Sequence, residues 1–452
     1  MQTLTRDAVP IGTVGNSLPS ETLDTPANGI KGLKHWKSDI RAGMVVSMVS
    51  LPLSLGIAVA SGAPPICGII SAIIAGLVFP FIGGAFVTIS GPAAGLAPVV
   101  LYTIATLGGG DSSIGYHLCL VGIFFGGCIQ LILSQTKAAR FSKHLPSAAI
   151  EGMLASIGLL LIMKQFGNLI GNKFHEHDFF PMLAELPSHL GTANPKVLLI
   201  GIACLVFLFA VSKSKLQKWF RVIPVQLAVV MLGTILAVAT GIDKHFLISV
   251  PNNILKGLAM PDFQGAFANS QLWWPLMSCV LTLTFVDAFE SLATLHAVDR
   301  IDPYQRKSDP DRTLLCMGTS NVLSSMVGGL TIIPGGIKST TNIMSGGKTL
   351  WANFYNALFL LAYVIIFRDL INMIPLAVLA AVLIHIGYEL CAPNKWIAAA
   401  RHGKEDLLVF VTTIVATLAT DLLVGLLIGS SLKLVRPACE RLHLFAPKVA
   451  VH

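Results

Sequence analysis

Two kinds of charged side chain in this sequence stand where lipid would make them costly. Lys338 follows Gly335-Gly336-Ile337 inside a long apolar region. Asp287, Glu290 and Thr294 lie in the run Phe285-Val286-Asp287-Ala288-Phe289-Glu290-Ser291-Leu292-Ala293-Thr294. Spacings of three and four put Asp287, Glu290 and Thr294 on one helical face. A cation at mid-membrane costs about 2.5–3.5 kcal/mol or more, and an intramembrane carboxylate marks function by default. A bound anion would relieve Lys338. The carboxylates suit a proton or Na⁺ that enters with the anion, or a salt bridge that balances Lys338 when the site is empty.

Two stretches that interrupt the apolar pattern resemble each other. One is Gly83-Gly84-Ala85-Phe86-Val87-Thr88-Ile89-Ser90-Gly91-Pro92; the other is Gly328-Gly329-Leu330-Thr331-Ile332-Ile333-Pro334-Gly335-Gly336. Each joins a Gly-Gly pair to a short β-branched run and a Gly/Pro turn that opens a short helix. Non-helical backbone at membrane depth is tolerated only where protein buries it or it lines a cavity. Interrupted segments at matching positions of two halves point to a transporter's substrate site. Half-helices starting near Pro92 and Gly336 would aim free N–H groups and positive dipole ends into the gap between them. Lys338 lies one or two residues inside the second, so one anion would relieve both helix ends and the ammonium.

Of the 452 residues 54% are hydrophobic and only 12% charged, about half the charged share of a soluble protein. A cytosolic enzyme, a disordered chain and a small secreted scaffold are excluded. Apolar stretches follow one another at about 42–61, 65–82, 92–107, 116–134, 146–165, 195–212 and 223–240. After a polar stretch come 273–296, 314–328, 336–346, 350–367, 373–390, 406–420 and 421–436. The interruptions fall in the third and tenth of these fourteen segments, and an odd offset reverses topology. The expected fold is an all-α polytopic membrane protein with fourteen transmembrane segments in a 7+7 inverted repeat. With the N-terminus inside, 24 of the 31 basic residues fall in inside loops and five outside, the pattern that orients membrane proteins. Both termini are then cytoplasmic, and the net charge of +8 is topological and does not call for nucleic acid. The expected division is a flexible tail over 1–36, a transporter domain over 37–437 with repeats at about 37–241 and 272–437, and a short tail over 438–452.

Other candidates carry less. The eight cysteines are scattered without a CxxC pair and read as packing residues. His175-Glu176-His177-Asp178 is not HExxH and reads as a solvated loop, not a metal site. Lys164 closes the fifth segment and is expected to snorkel to the outer interface. His385, Tyr388 and Glu389 read as packing near the inner end of the twelfth. No P-loop, HExxH or GxSG is present. Neither an ATP-driven pump nor an intramembrane enzyme is expected, and no cofactor beyond a coupling Na⁺ or H⁺.

These residues, taken together, resemble the SulP (sulfate permease) anion transporters, the group that also contains prestin and pendrin. The resemblance covers roughly 37 to 437. It rests on Asp39-Ile40-Arg41-Ala42-Gly43 leading into Leu51-Pro52-Leu53-Ser54-Leu55-Gly56-Ile57-Ala58, and on Ile89-Ser90-Gly91-Pro92-Ala93-Ala94-Gly95. It continues through Glu290-Ser291-Leu292, Gly336-Ile337-Lys338-Ser339-Thr340-Thr341-Asn342 and Asp421-Leu422-Leu423-Val424-Gly425. The family implies the uracil-permease-like fold, with a core domain of segments 1–4 and 8–11, a gate domain of 5–7 and 12–14, and an elevator-type movement. It implies substrate contacts from Ser90, Gly91, Ala93 and Ala94 on the first half-helix turn and from Gly335, Gly336, Ile337, Lys338 and Ser339 on the second, with Leu53 and Ile57 facing the site. Glu290 and Thr294 match an acidic and a hydroxyl position that resemble those of the family's cyanobacterial bicarbonate transporters, and Asp287 is a further coupling-ion candidate by its place on the same helical face. Lys338 replaces the family's usual arginine, and Leu53 stands where many sulfate-type members have glutamine; both departures weaken the case for sulfate and lean towards bicarbonate, chloride or a carboxylate, and the likeness to STAS-less bacterial members tips the expectation to bicarbonate, with sulfate or chloride as alternatives. A nucleobase or dicarboxylate permease of the same fold is the runner-up. Only 16 residues follow Arg436, so the family's cytoplasmic STAS domain is either lacking in this branch or cut from the sequence, and a STAS-less bacterial member is expected. Its expected partners are a small inorganic anion, the lipid bilayer of the bacterial inner membrane and a second copy of the chain.

Overall fold

The computed structural model describes residues 25–136, 146–172, 174, 178–213, 224–251 and 257–443. Among the described residues, fourteen of the helices answer to the fourteen apolar segments of the hydropathy pattern. The first half holds α1 (Trp36–Ala60), α2 (Pro65–Ile82), α3 (Ala97–Gly108), α4 (Ser112–Gln135), α5 (Ser147–Ile170), α6 (Pro195–Lys213) and α7 (Val225–Thr240). The second holds α8 (Trp273–Ile301), α9 (Pro310–Met326), α10 (Gly336–Met344), α11 (Trp351–Ile366), α12 (Leu376–Leu390), α13 (Lys404–Ala419) and α14 (Leu422–His443). Seven helices among the described residues are long and apolar enough to cross a bilayer, and four more are apolar but shorter. The chain is a multi-pass membrane protein.

Each interruption is a strand at the head of a short helix. β1 (Ile89–Pro92) precedes α3, and β2 (Ile332–Gly335) precedes α10. They pair antiparallel in the register Ile89↔Gly335, Ser90↔Pro334, Gly91↔Ile333 and Pro92↔Ile332. Backbone that leaves the helix within a membrane must find partners in protein, and two broken segments of opposite direction supply each other. Side chains complete what a two-stranded ladder cannot. Ile89 N–H donates to Ser339 Oγ (2.9 Å), Ser90 N–H to Asn353 Oδ1 (2.8 Å), and Asn353 Nδ2 to Thr88 O (2.7 Å). The first half-helix begins at Ala97, five residues beyond the expected Pro92, because the turn through Ala94 to Leu96 intervenes; the second begins at Gly336 as expected.

The helices pack in two groups. α1–α4 pack with α8–α11, and α5–α7 with α12–α14, the division implied by the family resemblance. Small residues let the helices approach closely: a Cβ on Gly318 of α9 would lie 2.8 Å from Gly127 O of α4. α9 is the least apolar segment, yet Ser320, Asn321, Ser324 and Ser325 are all buried, facing protein and not lipid. One apolar cluster runs across the boundary between the groups, and no ion pair between described residues joins them.

The expected N-terminal tail covers 1–36. Residues 1–24 lie outside the described residues, as do 444–452 of the C-terminal tail. Residues 29–35 form a 3-10 helix, and the segment around it is docked. Arg306 donates to Pro26 O (2.8 Å) and Lys348 O (2.9 Å) while paired with Asp302 (2.8 Å), and Trp351 Nε1 donates to Gly29 O (2.8 Å). Asp39 of the resemblance motif has a visible task, since its carboxylate accepts from Lys348 N (2.7 Å), Thr349 N (3.2 Å) and Thr349 Oγ1 (2.5 Å). The amphipathic helix Phe179–Gly191 between α5 and α6 is an element that hydropathy alone did not reveal. Residues 175–177 of the His-Glu-His stretch, and the basic residues at 137–143 and 215–221, lie outside the described residues.

Candidate functional site

The turn leading into α3 and the head of α10 face a cavity of about 530 Å³ between the two helix groups. Core residues Leu53, Ile57, Ala94, Glu290, Thr294 and the stretch from Ile333 to Lys338 form one wall; Ser147, Glu151 and Leu154 of α5 and Ile386 and Leu390 of α12 form the other. Arg300 and Lys395 stand at its mouth, so it opens toward the face that carries the basic loops. A second cavity of about 290 Å³ lies between the same groups on the opposite face, lined among others by Thr103, Lys164, Asp178, Trp274 and Asp421. Lys164 does not snorkel outward. It lies within α5, which continues to Ile170, and its Nζ donates to Pro98 O of α3 at 3.3 Å.

Lys338 is 4% exposed, sits in the first turn of α10, and its ammonium has no hydrogen-bond partner. The first N–H groups of a helix point to its N-terminal end without intrahelical partners, so ammonium and helix end present one electropositive surface. Gly91 makes room for it, since a Cβ there would fall on the lysine Nζ. Glu290 reaches the turn that precedes the other half-helix: its carboxylate lies against Gly95, where a Cβ would fall on it, and Oε2 has no partner. The salt bridge between Lys338 and Glu290 is absent. Anion-seeking and cation-seeking groups thus stand separately around one cavity. Thr294, one turn from Glu290, adds a hydroxyl, so carboxylate and hydroxyl suit a Na⁺ or a proton. Among the described residues no cluster of three or more His, Cys, Asp or Glu side chains could hold a metal ion.

Of the expected substrate contacts, Leu53, Ile57, Ala94, Gly335, Gly336, Ile337 and Lys338 line the cavity. Ser90, Gly91, Ala93 and Ser339 do not; they build the ladder behind it. Ser339 Oγ donates to Gly335 O (2.6 Å) and accepts from Ile89 N, and Ala93 N–H donates to Thr331 O (3.2 Å). Asp287 is also displaced from the expected role. It shares a helical face with Glu290 and Thr294 but lies about 4.5 Å further along the axis than Glu290, at a depth where the backbone leading into β2 covers α8. It is 1% exposed and does not line the cavity. The gate-side wall was missed because Ser147, Glu151, Ile386 and Leu390 read as ordinary span ends; Glu151, a lone acid opening an apolar segment, was the available signal.

Gly91→Ala tests the approach of the ammonium. The side chain that must yield is flexible, so the protein is expected to fold with its ammonium displaced and its half-saturating anion concentration raised about tenfold, measured by concentration-dependent uptake.

A family model described as the sulfate permease family matches residues 36–413. The chain belongs to the sulfate permease family. The bicarbonate transporter BicA of Picosynechococcus sp. is 24% identical over 401 residues, which span 88% of this chain and 69% of that protein. High affinity sulfate transporter 1 of Stylosanthes hamata is 23% identical over 412 residues, 88% of this chain and 60% of that protein. The solved transmembrane domain of a cyanobacterium bicarbonate transporter BicA matches with a TM-score of 0.77 at 22% identity, covering 87% of this chain and 97% of that one. Murine Slc26a9, an anion transporter in the inward-facing state, matches with a TM-score of 0.78 at 16% identity, covering 89% and 68%. The structural likenesses show the fold. This member of the sulfate permease family is an anion transporter and not an enzyme.

Proposed function

We propose that the chain is a secondary active transporter of a small monovalent oxyanion, bicarbonate in the first place, coupled to Na⁺ or H⁺ through Glu290 and Thr294. The observation that carries this reading is the buried, unpartnered ammonium of Lys338 at a helix head lining a cavity. A neutral nucleobase needs hydrogen-bonding partners and has no use for that charge. A lysine offers a point charge and lacks the planar fork with which arginine grips an oxyanion, and Leu53 adds an apolar contact where an amide would serve sulfate. The likeness to BicA supports the same choice, while the sulfate transporters among its relatives keep sulfate as the second candidate.

Movement follows an elevator. The core carries the ladder and both half-helices past a gate of α5–α7 and α12–α14 across an apolar boundary free of ion pairs between described residues. With basic loops inside, both termini are cytoplasmic, the membrane is the bacterial inner membrane and the larger cavity is open inward; the family fold is compatible with a homodimer. Counterflow in proteoliposomes against bicarbonate, sulfate, chloride and fumarate, with and without pH and Na⁺ gradients, tests the proposal. Bicarbonate is expected to drive exchange best, and preference for fumarate would overturn the reading.

Lys164 bridges gate to core on the closed face. Lys164→Met is expected to favour opening there. Thr103→Cys, with Cys279 replaced by serine, should then react about tenfold faster with a membrane-impermeant thiol reagent added on that face. An unchanged rate would mean that Lys164 takes no part in closure.

A further inference from the structure

Behind the cavity, side chains and the partner strand hold several backbone groups of the segment leading into β2. Leu330 N–H donates to Ser71 Oγ (2.6 Å), and Leu330 O accepts from Ser324 Oγ (2.8 Å). Thr331 O accepts from Ala93 N (3.2 Å), and Ile332 N–H donates to Asn321 Oδ1 (2.6 Å). Asp287 is the hub. Its Oδ2 accepts from Thr331 Oγ1 (2.5 Å), Asn321 Nδ2 (3.2 Å) and Gln130 Nε2 (3.2 Å), while Asn321 Nδ2 also donates to Gln130 Oε1 (2.9 Å). Asp287, Gln130 and Asn321 are each 1% exposed and come from α8, α4 and α9. No cation pairs with Asp287 among the described residues.

The held segment runs straight into β2 and then into the first turn of α10, where Lys338 sits seven residues beyond Thr331. A hydrogen bond to a charged acceptor is stronger and more directional than one between neutral groups. Three of them on one oxygen, from three elements, fix where the strand begins and therefore where α10 points. We propose that Asp287 is a positioning residue for the anion site: it acts through Thr331 and Asn321 as a hydrogen-bond acceptor and carries no coupling ion. This rests on the reading of Lys338 as the anion's partner. It assigns the two acidic groups of α8 different tasks, Glu290 in the cavity and Asp287 behind it.

Asp287→Ala strips three donors of their acceptor at once, so the decisive variant is Thr331→Val, which keeps the shape, leaves Asp287 two donors and touches no substrate. Uptake of radiolabelled bicarbonate would be measured against concentration, with and without Na⁺ and pH gradients, for Thr331→Val, Asp287→Asn and Lys338→Ala. Thr331→Val is expected to raise the half-saturating concentration about tenfold with little change in maximal rate. Asp287→Asn keeps an accepting oxygen but loses its charge, so it should raise the half-saturating concentration less than Thr331→Val does and keep the ion dependence of wild type. Wild-type half-saturation in Thr331→Val, or loss of ion dependence in Asp287→Asn, would overturn the positioning role. Wild-type uptake by Lys338→Ala would instead overturn the anion site itself, so the two failures are told apart.

Discussion

Lys338→Ala is expected to abolish anion uptake while leaving a protein that folds at least as well as the wild type. The ammonium is buried, unpartnered and at the positive end of α10. In the empty protein it is a cost, because removing an uncompensated buried charge relieves its desolvation. Its contact with substrate is a charge-assisted hydrogen bond inside a site of low dielectric, where loss of one partner costs about 1.5–3 kcal/mol, equivalent to roughly 10- to 150-fold in affinity. The desolvated anion then faces an apolar wall of Leu53 and Ile57 with only helix N–H groups to compensate it, which takes transport below detection. Thermal unfolding in detergent separates the two effects. The variant should melt no lower than wild type and should lose the rise in melting temperature that bicarbonate gives the wild type. Lys338→Arg makes the complementary case: a planar fork in the same place should shift preference toward sulfate. Normal uptake by the alanine variant would remove the reason to place an anion here.

Glu290→Gln is expected to leave anion exchange intact and to lose its dependence on Na⁺ or pH gradients. The carboxylate lies against Gly95 in the turn before α3, and its Oε2 has no partner. Glutamine keeps the shape of the side chain, so its packing against Gly95 is preserved. It lacks the charge that attracts Na⁺ and the site that takes up a proton. A coupling group must bind its ion in one state and release it in another, and an amide does neither. Counterflow at equal anion concentrations should therefore resemble wild type, while gradient-driven accumulation should fall to equilibrium. Accumulation that persists in the variant would move coupling elsewhere or show that none exists.

The number and order of the segments were legible because lipid imposes a coarse rule. A span needs about twenty apolar residues, and the loops between spans carry charge of a telling sign. The broken segments were legible for the same reason, since Gly83-Gly84 and Gly328-Gly329 followed by β-branched residues have no place in an ordinary span. Lys338 and Glu290 stood out because each is costly where it lies. Depth along a helix was not legible. Asp287, Glu290 and Thr294 share a face, and only the packing of residues 330–332 across α8 decides that the cavity reaches the last two and not the first. Ser90, Gly91 and Ser339 stood out by their motif, but pattern alone could not tell backing from lining. Glu151 and Ile386 belong to the opposite wall and come near the site only through the packing of the two helix groups, which no local spacing encodes.

The pairing of β1 with β2 bears on how such a chain is made. During synthesis the third segment enters the bilayer while the tenth is still unbuilt, so residues 89–92 leave the ribosome with their backbone partners missing. Unsatisfied groups in hydrocarbon are too costly to wait there, so the third segment must linger at an aqueous edge or within the translocation machinery until its mate arrives. The transport site is thus among the last parts of the molecule to mature, and a polypeptide interrupted between its two halves is inserted but unfinished.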